Sequence, residues 1–217
     1  MQYPANRKGP DRSAALAQYR RRAAHYDREL ALFESIRERA VDLLVLQRGD
    51  TVLDVGCGTG LSFRLLHDRL AKGGRIVGIE QCPEMMDKAR ARIESAGWTN
   101  VDLLCAPAAI APIAARGDAA LFHFTHDILR EDAALHNVLA HLRPGARVVA
   151  SGLQWAPPWM WPANGFVMAA ALYSVTSLEG LARPWDKLAS HLRDLEVHES
   201  LGGAVYIASG VYAPHRH

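Results

Sequence analysis

The chain has 217 residues, 49% of them hydrophobic, enough for one α/β domain with a full core and little more. Its 25 Lys and Arg against 23 Asp and Glu leave a formal charge of +2, so the sequence carries no large electrostatic footprint for nucleic acid. Cys57, Cys82 and Cys105 are odd in number and lack C-x-x-C spacing, which predicts free thiols in a reducing, cytoplasmic setting rather than a disulfide frame or a zinc site.

The polar, basic N-terminus has no apolar run of the kind a secretory signal needs. The longest apolar run, Phe166 to Tyr173, falls short of the roughly 20 residues that span a bilayer. From Ser13 onward, Leu16, Tyr19, Ala23, Tyr26, Leu30 and Phe33 recur at steps of three and four and predict a helix with an apolar stripe. Arg20, Arg21 and Arg22 fall on the opposite side, as a solvated face or as a peripheral contact for anionic lipid. A second helical pattern through Ile36, Ala40, Leu43 and Leu44 ends before Arg48-Gly49-Asp50. Residues 1–48 are therefore read as an N-terminal helical cap, and 49–217 as the main domain.

The domain opens on Val52-Leu53-Asp54-Val55-Gly56-Cys57-Gly58-Thr59-Gly60, a short apolar run joined to three glycines at alternate positions. Val52, Leu53 and Val55 suit a parallel strand buried on both faces. The glycines end it in a turn, and Leu61, Leu65, Leu66 and Leu70 share one face of the helix that follows. Free N–H groups at that helix start would favour an anionic or polar ligand group. The spacing G-x-G-x-G matches neither the dinucleotide fingerprint nor the phosphate loop, which disfavours a nicotinamide dehydrogenase.

Leu53 to Gly60 resembles, nearly letter for letter, the first motif of the class I S-adenosylmethionine-dependent methyltransferases. The resemblance implies a doubly wound, Rossmann-like, mostly parallel seven-stranded sheet with helices on both faces and an antiparallel C-terminal hairpin. It also implies S-adenosylmethionine as cofactor, S-adenosylhomocysteine as product, and Asp54, Gly56, Cys57, Gly58, Thr59 and Gly60 as cofactor-binding residues. In relatives an N-terminal segment with tyrosines closes over the cofactor; the resemblance offers Tyr19 and Tyr26 as counterparts, Tyr26 with a catalytic role, the alternative being that both are core residues of the amphipathic helix.

A second strand, Arg75 to Ile79, ends in Glu80, about 20 residues past the glycine turn, where a doubly wound fold places the acceptor for a ribose diol. Gln81 and Cys82 would line the adenine side, and Pro83 opens a helix whose Met85, Met86, Ala89 and Ile93 face inward. The third strand, Val101 to Cys105, runs into Ala106-Pro107-Ala108-Ala109, where many relatives carry an acidic adenine contact. Backbone at Ala106 is expected to serve instead.

The fourth strand, Gly117 to Phe124, brings His123 and Phe124 to the cofactor, with Thr125-His126-Asp127 beyond them. His126 is the candidate catalytic base, with Asp127 to orient it. A metal would need a further convergent ligand, and none is expected. After a helix from Glu131 to His141, Leu142-Arg143-Pro144-Gly145 reads as a turn into the fifth strand and matches the same family. Residues 153–192 form a candidate substrate lid rich in Trp and Pro, suited to a small organic or lipid-like acceptor. Two strands about Gly202-Gly203 then read as a hairpin. The function that follows is N-, O- or C-methylation of such an acceptor, with a non-catalytic S-adenosylmethionine-binding protein as the alternative; the sequence leaves the oligomeric state open.

Overall fold

The computed structural model describes residues 33–71, 73–174 and 178–214, without the side chains of 172–174. The first helix expected from the sequence, with Tyr19, Tyr26 and Arg20 to Arg22, lies outside these residues. The second is α1 (Glu34–Asp42), which buries Ile36, Arg37, Ala40 and Val41.

Next come β1 (Thr51–Val55), α2 (Phe63–Leu70), β2 (Arg75–Glu80), α3 (Pro83–Ala96) and β3 (Val101–Cys105). They are followed by β4 (Gly117–His123), short α4 (His126–Leu129), α5 (Asp132–Ala140) and β5 (Leu142–Leu153). Then α6 (Trp161–Ser174), short α7 (Asp186–Ala189), β6 (Leu192–Ser200) and β7 (Val205–Tyr212) complete the fold.

Among the described residues these strands form a seven-stranded sheet in the order β3-β2-β1-β4-β5-β7-β6. Strands β1 to β5 pair in parallel, and β7 runs antiparallel between β5 and β6. The chain moves outward from β1 through β2 to β3 and returns to start β4 on the other side of β1. The crevice at that reversal lies beyond the carboxyl ends of β1 and β4, where an open α/β sheet binds its ligand.

Because both faces of the sheet are covered, successive residues of β1 enter opposite cores. Val52 packs with α1 and α2 side chains, while Leu53 and Val55 join the layer of Leu135, Val138 and Leu139 from α5. Helix α3 begins with Pro83 in its first turn, buries Met85, Met86 and Ala89, and stops at Gly97, whose φ of 68° is the left-handed cap of a helix end. Ile93 is only partly buried against the same core.

Two local expectations change. The helix after the glycine turn begins at Phe63 rather than Leu61; Phe63 fills the fully buried face with Leu66 and Leu70, which leaves Leu61 beside the crevice. Leu142 to Gly145 does not precede the fifth strand. It is taken into β5 as an irregularity, with Gly117 opposite Leu142 and Ala119 opposite Arg147, so the four residues Arg143 to Ala146 bulge against Asp118 alone.

Candidate functional site

The turn after β1 is shaped by contacts within the protein. Gly56 has φ 72°, and a Cβ there would come within 2.5 Å of the Thr125 methyl and 3.0 Å of the Ile128 Cδ1. Gly60 has φ 77°, and its Cβ would meet the Phe63 ring at 2.6 Å. Both positions therefore need glycine for conformation and for room.

The amides of the turn are mostly engaged. Those of Gly56 and Cys57 donate to the Ile79 carbonyl at 2.8 and 3.0 Å, and that of Gly60 donates to the Cys57 carbonyl at 2.9 Å. Two of these donors hold the turn against β2 and the third closes it on itself, ahead of the helix start at Phe63 where free N–H groups are expected. The Gly58 amide is different, since it donates to a side chain, the Glu80 carboxylate, at 3.2 Å.

Glu80 ends β2 opposite this turn, and its other oxygen accepts from the Cys82 amide at 2.7 Å. Burial raises its pKa above the ordinary carboxylate value, while the amides of Cys82, Gly58 and Gln81 oppose the rise. The amide of Ala106 donates to the Glu80 carbonyl at 3.0 Å, which fixes the end of β3 beside it.

Between the turn, the end of β4 and α1 lies a small cleft that is partly open to solvent. Its walls include Arg37, Asp54, Gly58, Thr59, Leu61 and His123. Asp54 is 1% exposed, and its Oδ2 has no hydrogen-bond partner. Burial raises its pKa to about 7, the Arg37 guanidinium opposes the rise, and Glu80 adds to it. Arg37 is itself 1% exposed and pairs with Glu34 across one helical turn. A buried cation beside a buried, unsatisfied carboxylate is an unusual pairing of groups for a wall without a ligand.

His123 lies 2.7 Å from the Ser151 hydroxyl through Nδ1, and its Nε2 is buried without a partner. Burial first, and then Arg37, lower its pKa to about 3, so the ring is neutral across the working pH range. The chain then turns sharply: Phe124 has φ 57°, a left-handed conformation unusual for an aromatic residue. Its ring stacks edge-on against His123 at 4.8 Å and lies 4.7 Å from Phe33. Phe33 in turn lies 6.2 Å from Phe166 on α6, which makes a row of three phenylalanines leading from the end of β4.

His126 opens α4 and is not among the walls of the cleft. Its Nε2 is 3.0 Å from the Glu179 carbonyl, and burial lowers its pKa. Gln81 is half-exposed. Cys57 and Cys82 are buried and Cys105 is exposed, all as free thiols. Among the described residues no group of three His, Cys, Asp or Glu is placed to hold a metal ion.

A methyltransferase-domain model matches residues 52–145, from β1 to the irregular start of β5. The trans-aconitate 2-methyltransferase of an Azoarcus species is 31% identical over 189 residues, covering 80% of this chain and 71% of that enzyme. The chain belongs to the class I S-adenosylmethionine-dependent methyltransferases. A shorter similarity, 36% over 64 residues, relates this methyltransferase to the protein-L-isoaspartate O-methyltransferase of Methanococcus aeolicus and spans 30% of each chain. Its fold is also that of the N-methyltransferase NodS from Bradyrhizobium japonicum, solved with S-adenosylhomocysteine: TM-score 0.67 at 17% identity, covering 92% of this chain and 99% of that one.

The cleft fits the cofactor of the family. An orphaned buried carboxylate oxygen on Asp54, a buried cation on Arg37 and a strand-end carboxylate on Glu80 beside the glycine turn suit a zwitterionic amino acid joined to a ribose. Arg37 was not legible from the sequence, where it is one of many arginines. Its signal is its place among Ile36, Ala40 and Val41 on the face of α1 that turns inward.

Proposed function

We propose that this methyltransferase moves the methyl group of S-adenosylmethionine to a small apolar acceptor. The observation that supports the reading is that Asp54, Arg37 and Gly58 line one cleft at the sheet's switch point, with the Glu80 carboxylate accepting from the Gly58 amide behind it. Asp54 would face the ammonium of the donor's amino-acid end and Arg37 its carboxylate. Glu80 would accept from the ribose hydroxyls, with Gln81 and the Ala106 backbone on the adenine side. Bound there, the donor supplies a sulfonium-activated methyl group, an electrophile that needs alignment more than activation.

The chain's own part is therefore positioning, which contributes roughly 7–11 kcal/mol when reacting groups are well aligned. Phe124, Phe33 and Phe166 offer an apolar wall beside His123, and this supports an apolar acceptor over a charged one. Of the two histidines named as candidates, His123 borders the cleft with its unpartnered Nε2, and His126 is engaged with Glu179. His123 is the better placed to receive a hydrogen bond from, or donate one to, the acceptor's polar group. Tyr26 keeps its role as a proposal from the sequence.

Incubation with methyl-labelled donor and fractionated cell extract tests the reading. Label in the apolar fraction with equimolar S-adenosylhomocysteine is the expected result. Label confined to highly charged metabolites overturns the acceptor class, and donor binding without any S-adenosylhomocysteine leaves the non-catalytic binding protein.

The state of Asp54 gives a separate prediction. Its folded pKa, about 7, lies above the ordinary carboxylate value, so the free protein gains a proton that the unfolded chain would release. The stability linked to this group is thus highest at acid pH and falls as pH rises toward 7. Donor binding has the opposite sign, because only the ionised carboxylate pairs with an ammonium. Calorimetry should show the donor Kd rising about tenfold per pH unit below 7, and Asp54→Asn should remove that slope.

A further inference from the structure

His123 and Ser151 stand opposite each other across β4 and β5, so their side chains share one face of the sheet. The Ser151 hydroxyl is fully buried, and among the described residues its hydrogen-bond partner is His123 Nδ1, 2.7 Å away. Two arrangements satisfy that contact. If Nδ1 carries the ring proton and donates it, the hydroxyl proton has no acceptor in the core and the Nε2 lone pair has no donor, which strands two polar groups. If the hydroxyl donates to Nδ1, the proton of the neutral ring sits on Nε2, and that N–H is the one group left over. A buried donor left without an acceptor disfavours the first arrangement by about tenfold or more. The ring stays neutral because burial and the Arg37 guanidinium both oppose its charging.

We propose that Ser151 holds His123 as the Nε2–H tautomer, and that His123 donates a hydrogen bond to an anionic oxygen of the acceptor instead of withdrawing a proton from it. An imidazole with Nε2 occupied has no lone pair to offer the cleft. Of the other described walls, Asp54 faces the donor's ammonium, and burial holds the Cys57 thiol well above its ordinary pKa, so neither takes the acceptor's proton. The acceptor therefore arrives already ionised. It is an apolar molecule ending in a carboxylate, an enolate or an acidic phenol, and not an amine. A lone pair of that anion forms the new bond to the methyl carbon, the carbon–sulfur bond breaks with its pair left on sulfur, and no proton is released. The donor's own carboxylate is the competing partner for Nε2–H. Arg37 on the same wall already answers that carboxylate, while the His123 ring meets Phe124 edge-on at 4.8 Å, where the apolar side chains begin.

The inference rests on the methyl-transfer reading and narrows its acceptor, but its first test needs neither donor nor acceptor. Nuclear magnetic resonance of protein labelled with heavy nitrogen in its histidines, with His123 assigned by its loss in His123→Gln, should show the ring proton on Nε2. Ser151→Ala should move the ring toward a mixture of the two tautomers while the fold still melts cooperatively. A wild-type ring protonated on Nδ1, or a ring indifferent to Ser151→Ala, overturns the proposal. Ser151 is thus tested as a positioning residue by a signal that a merely structural role would not move.

Turnover is then read with methyl-labelled S-adenosylmethionine and cell extract as the source of acceptor. His123→Gln keeps an N–H near the Nε2 position but no basic nitrogen, and should lose about tenfold, against about a hundredfold or more for His123→Phe. The affinity for S-adenosylhomocysteine should hardly change in either, and the labelled product should pass a cation exchanger unretained. His123→Gln as inactive as His123→Phe would reveal a base. A labelled amine held on the exchanger would reveal another acceptor class, and a Kd that rises as far as turnover falls would reveal a bond to the donor's carboxylate. Each of these overturns the proposal. No S-adenosylhomocysteine from the wild type would sink methyl transfer and the acceptor with it, while the nitrogen spectrum would still judge the tautomer.

Discussion

Replacing Glu80 by alanine should raise the donor Kd about a thousandfold, and by glutamine about a hundredfold, with the melting temperature moving by only a few degrees. The size follows from charge. Hydrogen bonds to an ionised group are worth about 1.5–3 kcal/mol each, and two ribose hydroxyls would share this carboxylate. Glutamine keeps one acceptor oxygen and the shape, hence the smaller loss. Stability changes little because two effects oppose. The Gly58 and Cys82 amides lose their acceptor, at 3.2 and 2.7 Å in the free protein, while a carboxyl whose ionisation burial disfavours is removed. Titration calorimetry and a thermal melt on the same samples separate the cases. If Glu80 served only to pin the turn, the melt would fall and the affinity would hardly change.

Gly56→Ala should destabilise the fold by roughly 2–5 kcal/mol, which for a chain of this size lowers the melting temperature by roughly 5–20 °C. Two costs add. A left-handed φ of 72° costs a residue with a Cβ about 1–2 kcal/mol. Overpacking against Thr125 and Ile128, at 2.5 and 3.0 Å, contributes about 1–3 kcal/mol more. Gly97→Ala is the control, since φ is 68° there and an added Cβ meets nothing within 4 Å, so only the first cost of about 1 kcal/mol applies. Combining Gly56→Ala with Thr125→Ser removes the clashing methyl and should recover about 1 kcal/mol without restoring the whole loss. Equal melts for the Gly56 and Gly97 variants would show that the turn tolerates the contact.

What could be read from the sequence is what depends on short-range spacing. Val52 to Gly60 states a strand, a turn and a helix within one window, and the family pattern adds Glu80 at a fixed distance. Alternation of strands with helical periods then yields the sheet, because parallel strands require crossovers of this length.

The site's other wall was not legible, because it is made by contacts between distant parts of the chain. Arg37 reaches the cleft only because α1 packs across β4 and β5, with its neighbours Ala40 and Val41 fully buried. His123 and His126 are three residues apart and equally suited to chemistry on paper. The left-handed turn at Phe124 is what separates them, leaving one ring at the cleft and the other against Glu179. Tryptophans read alike in sequence too, yet Trp185 packs tilted against Tyr206 in the core, ring centroids 4.7 Å apart, while Trp159 and Trp161 face outward.

The most direct test of this account is a crystal structure of the protein with S-adenosylhomocysteine. The account predicts both ribose hydroxyls within hydrogen-bond distance of the Glu80 carboxylate, the ammonium against Asp54 and the carboxylate toward Arg37. A sugar bound elsewhere, with Glu80 still engaged only by the amides of Gly58 and Cys82, would contradict it.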